Sequence, residues 1–223
     1  MTSSGTEQPQ FSACLRERLD IACLPPTLIN EDQAGRLYRY YSLLRKWNAR
    51  VNLTALDLGA VPSGETIDRL FVEALVASRY LHAWASPQDT RWFDLGSGGG
   101  SPAIPLRILR GDGHLILVES RAKKAAFLRE AIRTVGLEAT AVAEMRVEDL
   151  VREYSVGHAS LVTVRGLRLD SVVSSVSAAL LRPGGQLFVF ATSLGTISSD
   201  ASFRLEEQAP LLSSGSLFVL DRV

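Results

Sequence analysis

Residues 91–105 read RWFDLGSGGGSPAIP, an apolar run followed by a loop in which four of the five residues from Gly96 to Gly100 are glycine. Glycine in such a loop permits positive φ angles and lets a ligand approach the backbone where a Cβ would otherwise stand. A plain tight turn needs only one or two glycines, so a ligand-binding loop is the better interpretation. Doubly wound sheets bind ligands at the carboxyl ends of their strands, where this loop is expected to lie.

The chain from Arg91 onward alternates short apolar runs with stretches of helical periodicity. The apolar runs are RWFDL, HLILVE, ATAVAEMR, ASLVTV, QLFVFA and SLFVLDR. The helical stretches are Pro102–Arg110, Ala122–Val135 and Asp170–Leu181. This alternation predicts an α/β fold with a doubly wound, mostly parallel, Rossmann-like sheet that carries helices on both faces.

The first 88 residues have a helical texture instead. Residues 1–10 are rich in Ser, Thr, Gln and Pro, and we expect them to form a loose end. Helices are predicted at Phe11–Leu24, at Glu31–Asn48 behind an Asn30 N-cap with Gln33 in a capping box, and at Thr66–Trp84. We therefore divide the chain into an N-terminal helical extension, residues 1–88, and a sheet domain, residues 89–223.

Composition narrows the class of protein. Of the 223 residues, 46% are apolar and 22% charged, which excludes a mostly disordered chain, and the 24 basic and 24 acidic residues cancel. Cys14 and Cys23 lack CxxC spacing and only three histidines occur, so no metal site is predicted. No apolar run approaches the roughly 18 residues of a membrane span, and the first residues lack a signal pattern. We expect a cytoplasmic protein without a membrane partner.

Two cofactors compete for the glycine loop, a nicotinamide dinucleotide and S-adenosylmethionine. Both place an acidic residue after the second strand to hold ribose hydroxyls, and Glu119 fits either one. The dinucleotide fingerprint needs glycine or alanine where this chain has Ser101. Asp94, two residues before Gly96, would repel a pyrophosphate but tolerates the sulfonium and ammonium of S-adenosylmethionine. The residues therefore favour S-adenosylmethionine, with Asp94, Gly98 and Glu119 as candidate contacts.

Several segments are closely similar to one family. They are Leu43–Ala55 (LLRKWNARVNLTA), Asp94–Pro105, Glu119–Leu128 (ESRAKKAAFL), Arg146–Glu148 and Thr163–Gly166. In addition, the Pro-Gly-Gly turn at 183–185 resembles the turn before the fifth strand of S-adenosylmethionine-dependent methyltransferases. On these segments the chain resembles the bacterial small-subunit (16S) ribosomal RNA methyltransferase G family, formerly called glucose-inhibited division protein B. The resemblance spans about residues 40–190.

The resemblance implies a Rossmann-like methyltransferase sheet, S-adenosylmethionine as methyl donor, and guanine N7 in 16S rRNA as the acceptor. The partner would be small-subunit ribosomal RNA or the 30S subunit. Carried over residue by residue, the resemblance implies cofactor contacts at Gly96, Ser101, Val147, Glu148 and Arg165. In the first similar segment, Trp47 and Asn52 are interpreted as packing and turn residues rather than substrate contacts.

RNA binding requires local positive charge, which residues 107–133 supply. This window holds seven basic residues (Arg107, Arg110, Arg121, Lys123, Lys124, Arg129 and Arg133) and three acidic ones, a formal excess of four positive charges. Such a patch would contact phosphates and make affinity fall with salt. Arg121, Lys123 and Lys124, together with Arg146, are the candidate substrate contacts, and Lys123 and Arg146 also match the family motifs.

The chemistry at guanine N7 requires no general base, because this nitrogen has a free lone pair and no proton to lose. The residues Val164–Leu167 stand where many exocyclic-amine methyltransferases carry an Asn/Asp-Pro-Pro-aromatic signature. Neither cysteine lies near the predicted pocket, which disfavours a covalent route to pyrimidine C5. We therefore nominate no catalytic side chain.

The chain departs from the family at two places: Leu70 follows Arg69 where the family usually has His, and Thr192 stands where a Lys is usual. Three alternatives therefore remain. The chain could methylate a small molecule, transfer hydride with a nicotinamide cofactor, or be a catalytically silent RNA-binding or ribosome-assembly protein. Binding of S-adenosylmethionine, of a dinucleotide or of neither distinguishes these classes.

Overall fold

The computed structural model describes residues 4–82, 90–213 and 215–223. The strands are β1 (Arg91–Leu95), β2 (His114–Val118), β3 (Thr140–Ala143), β4 (Ala159–Arg165), β5 (Leu181–Ala191), β6 (Phe203–Pro210) and β7 (Ser216–Arg222). Within the described ranges they form one seven-stranded sheet in the order β3-β2-β1-β4-β5-β7-β6. Strands β1 to β5 are parallel, whereas β7 runs antiparallel to β5 and to β6. The predicted doubly wound, mostly parallel α/β fold is confirmed.

The helices are α1 (Ser4–Ile21), α2 (Glu31–Val51), α3 (Gly64–Ile67), α4 (Glu73–Ala77), α5 (Ala103–Arg110), α6 (Ala122–Val135), α7 (Leu150–Glu153) and α8 (Ser171–Leu180). Short 3₁₀ turns lie at Pro26–Leu28, Ser78–Tyr80, Val147–Asp149 and Gly195–Ser199. A π-helical segment, Asp68–Val72, joins α3 to α4. None of the helices in the described ranges combines the length and apolar character that crossing a bilayer requires.

Most predicted elements occur where the sequence pattern indicates them, and three predictions need correction. The prediction of a loose end at residues 1–10 is wrong for residues 4–10, because α1 begins at Ser4 and its Glu7 carboxylate accepts hydrogen bonds from two side chains of α2, while residues 1–3 lie outside the described residues. The strand β6 has no counterpart among the predicted strands, because it is an edge strand whose side chains are mostly exposed and therefore lack an apolar pattern. The predicted helix Thr66–Trp84 is a mixed helical run that ends at Tyr80 within the described residues, and Trp84 lies outside them.

Each face of the sheet carries its own hydrophobic core. Alternate residues of the strands point to opposite faces, so that Trp92 joins one core and Phe93 the other. The first core contains side chains of α1, α2, α5, α6 and the π-helical segment, including an edge-to-face pair of Phe11 and Phe71 with centroids 5.3 Å apart. The N-terminal helices therefore cover one face of the sheet and share its core. The proposed division at residue 88 falls among residues that the structure does not describe.

Helix α2 is fixed against the sheet domain by its own polar side chains. Asn30 and Gln33 form the predicted capping box at its start. The Gln33 side-chain amide also donates to the carbonyl of Ile108 (3.2 Å), at the end of α5. The Arg36 guanidinium donates to the carbonyl of Val135 (3.1 Å), at the end of α6. These contacts direct the C-terminal end of α2 toward the glycine loop after β1.

Candidate functional site

The glycine loop leaves the carboxyl end of β1, in the centre of the sheet. Gly96, Gly98 and Gly100 all have positive φ, at 68°, 52° and 91°. A Cβ on Gly96 would lie 2.6 Å from the Leu167 side chain, so that glycine is required for packing. A Cβ on Gly98 would have only the Gly96 carbonyl oxygen near it, at 3.7 Å, and would otherwise project into open space. Gly98 is thus the position where the loop leaves room for a ligand.

Glu119 follows β2 and is held rigidly beside this loop. The backbone N–H of Gly98 donates to its Oε2 (3.0 Å), and the N–H of Arg121 donates to its Oε1 (2.8 Å). The residue is only 7% exposed, and it lines a cleft. A carboxylate with both oxygens fixed this way keeps lone pairs for further donors. Its position fits the predicted role of accepting ribose hydroxyls.

Asp94 is buried beneath the loop. Its Oδ1 accepts a hydrogen bond from the Thr163 hydroxyl (2.6 Å), which in turn accepts one from the indole N–H of Trp92 (3.0 Å). Its Oδ2 has no hydrogen-bond partner among the described residues. Burial is the main cause that raises the pKa of this carboxyl from 3.8 to about 7. A buried carboxylate oxygen without a donor fits a cationic ligand such as an ammonium group.

Two clefts meet at the glycine loop. The smaller cleft has about 270 Å³, and its lining includes Glu119, Ser120, Arg121, Met145, Val147 and Leu167. The larger cleft has about 400 Å³, and its lining includes Leu44, Leu53, Thr54, Ala55, Leu56, Arg69, Leu70, Ser101 and Arg165. Both are lined by Gly96, Gly98, Lys124 and Gly166. One elongated ligand can therefore run from the smaller cleft into the larger one across the glycines.

The C-terminal end of α2 builds one wall of the larger cleft. The Asn48 side-chain oxygen accepts from the backbone N–H of Leu53 (2.7 Å) and of Thr54 (2.9 Å), and its amide donates to the Thr54 carbonyl (3.0 Å). Asn52 ends the helix in the left-handed conformation, with φ 51°. Trp47 packs against Phe127 of α6, with ring centroids 5.8 Å apart. Trp47 is thus a packing residue and Asn52 a turn residue, as predicted, and the absence of a substrate contact from either stays a prediction.

Tyr40 of α2 supports the glycine loop from below. Its hydroxyl donates to the Gly99 carbonyl (2.5 Å), and complete burial raises the pKa of this phenol. Neither Tyr40 nor Asn48 is predicted from the sequence to be a site residue, and Asn48 is predicted only to end a helix. The available signal for Tyr40 is its hydroxyl, because a buried tyrosine normally finds a hydrogen-bond partner.

The π-helical segment forms the opposite wall. Its defining hydrogen bond runs from the Glu73 N–H to the Asp68 carbonyl. Two of its other carbonyls accept hydrogen bonds from side chains of the sheet domain. The Ser101 hydroxyl donates to the Leu70 carbonyl (2.9 Å), and the Arg165 guanidinium donates to the Arg69 carbonyl (2.7 Å). Such segments are rare and occur frequently at functional sites.

Arg165 lines the larger cleft, but protein groups occupy much of its guanidinium. It forms an ion pair with Glu73, whose side chain is fully buried and also accepts from the Ser213 N–H (3.1 Å). Its guanidinium carbon lies 5.4 Å from the centre of the Phe190 ring. Burial lowers the pKa of Arg165, and the Glu73 carboxylate opposes that shift. A cofactor contact from Arg165 stays a prediction.

The structure brings some of the remaining predicted residues to the clefts and leaves others outside. Val147, Arg121 and Lys124 line the smaller cleft. Glu148 and Arg146 pair with each other on the surface, at 3.5 Å, and neither side chain lines a cleft. Lys123 is exposed on α6 and lines neither cleft.

The basic window 107–133 is smaller than the sequence suggests. Arg107 is buried and donates to the carbonyls of Asp112 and Glu138, so its assignment to an RNA-binding patch is wrong. Three further arginines are in ion pairs: Arg110 with Asp112, Arg129 with Glu144 and Arg133 with Glu130. Among the residues described, Arg121, Lys123 and Lys124 have no acidic partner within 4 Å.

Comparison with known proteins points to one family. The profile of rRNA small subunit methyltransferase G matches residues 33–199. The Ribosomal RNA small subunit methyltransferase G of Xanthomonas oryzae pv. oryzae is 37% identical over 180 residues, covering 80% of this chain and 76% of that protein. That of Stenotrophomonas maltophilia is 38% identical over 170 residues, covering 76% of this chain and 69% of that protein.

Solved structures show the same fold at low sequence identity. A SAM dependent methyltransferase from Aquifex aeolicus superposes with a TM-score of 0.56 at 12% identity, over 82% of this chain and 98% of that one. A geranyl diphosphate methyltransferase in complex with GPP and sinefungin has a TM-score of 0.57 at 14% identity, over 68% of this chain and 78% of that one. TrmN from Thermus thermophilus has a TM-score of 0.53 at 17% identity, over 67% and 49%.

Proposed function

The chain belongs to the rRNA small subunit methyltransferase G family, which makes it an S-adenosylmethionine-dependent methyltransferase of small-subunit (16S) ribosomal RNA, and we propose that the atom it methylates is a guanine N7. The observation that carries the choice of N7 is the lining of the larger cleft. Of its described lining residues, none is His, Cys, Tyr, Asp or Glu. A cleft lined by no imidazole, thiol, phenol or carboxylate suits an acceptor atom that has no proton to lose.

The residues around the glycine loop fit S-adenosylmethionine. We assign the ribose hydroxyls to Glu119 and the adenine ring to the smaller cleft beside Val147. The methionine end then crosses Gly96 and Gly98 into the larger cleft. Asp94 lines neither cleft, and its unpartnered Oδ2, buried beneath the glycine loop, is the group that we assign to the ammonium. When bound, the cofactor supplies a methyl group on a sulfonium, which transfers in line to a nucleophile.

The protein's part in the reaction is to position the two reactants. The walls made by α2 and the π-helical segment are fixed by Asn48, Ser101 and Arg165, so the larger cleft is preformed beside the cofactor loop. Preformed walls restrict the guanine to the in-line geometry and can supply most of the rate enhancement by proximity and orientation. Because the larger cleft is a recess in the protein surface, the target guanine must leave any stack to bring its N7 beside the cofactor loop.

The RNA substrate is attracted by cations at the mouth of the clefts. Arg121 and Lys124 lie at the start of α6 and line the clefts, and Lys123 is exposed between them. They are free of acidic partners among the described residues, so their charge is available to phosphates. We expect the protein in the cytoplasm, where ribosomal subunits are assembled.

The test is a methyl-transfer assay with small ribosomal subunits from a strain that lacks this methylation. Incubation with the purified protein and S-adenosylmethionine is expected to yield 7-methylguanosine at one site, identified by mass spectrometry of the digested RNA. The Glu119→Ala variant is the negative control, because it removes the proposed ribose contact. A methyl group on an exocyclic amine, a ribose or a pyrimidine would contradict the N7 assignment. Transfer to small molecules alone would contradict the RNA substrate.

A further inference from the structure

Two buried ion pairs hold the π-helical segment at its ends. At its start, the Arg18 Nε of α1 donates to Oδ1 of Asp68 (2.8 Å), a residue only 3% exposed. Directly after its end, Glu73 is fully buried between Arg165 and Ser213. Breaking a buried pair is strongly destabilising, so the segment has little freedom to shift. Its geometry is therefore set by the fold before any ligand binds.

Arg69 lies inside this segment, and its backbone and its side chain make different contacts. Its carbonyl accepts from Arg165, while the carbonyl of the next residue, Leu70, accepts from Ser101 in the glycine loop. The half-buried Arg69 side chain lines the larger cleft. No acidic group of the described residues lies within 4 Å of its guanidinium. The structural contacts thus use the backbone of residue 69 and leave its guanidinium available.

The charge of Arg69 has no acidic partner among the described residues, whereas the charge of Arg165 is paired with Glu73. The Arg165 guanidinium binds the Arg69 carbonyl, both side chains line the larger cleft, and the Arg69 charge helps to lower the pKa of Arg165. Glu73 neutralises Arg165, so the net positive charge at this wall belongs to Arg69. A partly desolvated cation without a partner is unfavourable unless an anion binds there. The larger cleft therefore selects for a negatively charged group beside Arg69.

We infer that Arg69 is a positioning residue that binds a backbone phosphate of the RNA strand whose nucleotide enters the larger cleft. The inference rests on the proposed function, because it assumes an RNA substrate. Two anions enter this cleft under that function, the phosphate and the carboxylate of the cofactor's methionine end. The phosphate is favoured because Lys124 lines the same cleft as Arg69, and Arg121 lines the adjoining smaller cleft. Neither Lys124 nor Arg121 has an acidic partner among the described residues, so the three cations can bind a polyanion together. A guanidinium fork also matches phosphate geometry in a bidentate way.

The fold links this contact to the cofactor loop. Ser101 belongs to the loop that holds the cofactor, and its hydroxyl binds the carbonyl next to Arg69. A phosphate held by Arg69 would therefore be fixed relative to the methyl group, which is what in-line transfer requires.

The experiment compares Arg69→Gln and Arg69→Lys with wild type. Arg39→Gln is the matched control, since Arg39 is an exposed arginine on α2 that lines neither cleft. Three quantities are measured: the Kd for S-adenosylmethionine by calorimetry, the KM and kcat for undermethylated small subunits, and the slope of log KM against log salt concentration. The melting temperature checks the fold, and it should not change, because the structural contacts of residue 69 are made by its backbone.

For Arg69→Gln we expect KM for the subunits to rise about tenfold and the salt slope to fall by about 0.7 to 0.9, the value of one phosphate contact. The Kd for S-adenosylmethionine should stay within about twofold of wild type. Arg69→Lys should keep the salt slope and recover part of the KM, and Arg39→Gln should match wild type. A weakened cofactor Kd with an unchanged KM would assign Arg69 to the cofactor carboxylate and overturn the inference, as would wild-type values throughout. If the wild-type protein itself transferred no methyl group to small subunits, the proposed function would fail instead.

Discussion

The smaller and larger clefts meet at the same three glycines, Gly96, Gly98 and Gly166, but are built in different ways. Most of the smaller cleft comes from residues 96–147, between the loop after β1 and the turn after β3, and Gly166 and Leu167 after β4 complete it. Its carboxylate, Glu119, is fixed by the backbone amides of Gly98 and Arg121. The larger cleft is assembled from the end of α2, the π-helical segment and the end of β4. Side chains such as Asn48 and Arg165 hold these distant segments together. The smaller cleft is thus the more local structure of the two, and the larger cleft depends more on tertiary contacts.

The largest effect is expected from Gly98→Val, which should weaken S-adenosylmethionine binding by about 100-fold or more. The new side chain would project into the open space where the ligand passes, and at φ 52° a β-branched residue is also strained by roughly 1–3 kcal/mol. Calorimetry measures the affinity and thermal unfolding measures the strain.

Gly111→Val is the matched control for this variant. Gly111 also has positive φ, at 72°, with open space where a Cβ would stand, and it lies at the end of α5 outside both clefts. It should lose similar stability and keep wild-type affinity. Equal affinity losses in both variants would show that strain, not the ligand's path, governs the effect.

Asp94 should make both stability and cofactor affinity depend on pH. Its pKa is raised from 3.8 to about 7 in the fold, so the folded state holds a proton that the unfolded chain releases. The stability from this group is therefore present at low pH and is lost as pH rises from about 4 through about 7. Relative to Asp94→Asn, wild type should lose roughly 2–3 kcal/mol of unfolding free energy between pH 5 and pH 8.

Cofactor affinity should move in the opposite direction. The ionised form of Asp94 is the one that pairs with an ammonium group, so the wild-type affinity for S-adenosylmethionine should rise about tenfold between pH 6 and pH 8. In Asp94→Asn the affinity should be weaker and independent of pH over that range. If the affinity of wild type and of Asp94→Asn depended on pH in the same way, Asp94 would not be a cofactor contact.

Asn48→Ala tests whether the larger cleft is stabilised independently of the smaller cleft. The substitution removes three hydrogen bonds that hold Leu53 and Thr54 in the wall, so kcat/KM for small subunits should fall about tenfold. The Kd for S-adenosylmethionine should change less than about twofold if the two clefts are built independently. Equal losses in cofactor binding and RNA methylation would contradict the separation.

The smallest effect is expected from Tyr40→Phe. Loss of the hydroxyl leaves the Gly99 carbonyl without this donor, which should lower the unfolding free energy by about 1 kcal/mol and weaken cofactor binding a few-fold. Denaturant unfolding and calorimetry measure the two effects. A wild-type Kd would mean that the glycine loop keeps its shape without α2.

The difference between the clefts also explains how much of the molecule the sequence predicts. The strand, glycine loop and following acid of the smaller cleft are short-range patterns, so the sequence indicates Gly98 and Glu119 as members of one candidate site, and the structure joins them by a hydrogen bond. Helix α6 and strand β7 have the bounds that their periodicity indicates. These features depend mainly on residues close together in the chain.

The larger cleft could not be predicted in the same way. Asn48 hydrogen-bonds the turn that follows α2, so its role depends on where the helix ends. The position of Arg69 depends on a π-helical segment that two tertiary ion pairs stabilise. Arg107 shows the same limit, because its charge suggests an RNA contact while the fold uses it to bind two carbonyls. Charge and residue type do not reveal whether a side chain is already occupied.

The cofactor assignment of the glycine loop is tested most directly by a calorimetric titration of the purified protein with S-adenosylmethionine and, separately, with NADH. We predict saturable binding of S-adenosylmethionine at one site per chain and no binding of NADH. Binding of NADH, or of neither ligand, would contradict the assignment of the glycine loop and the smaller cleft.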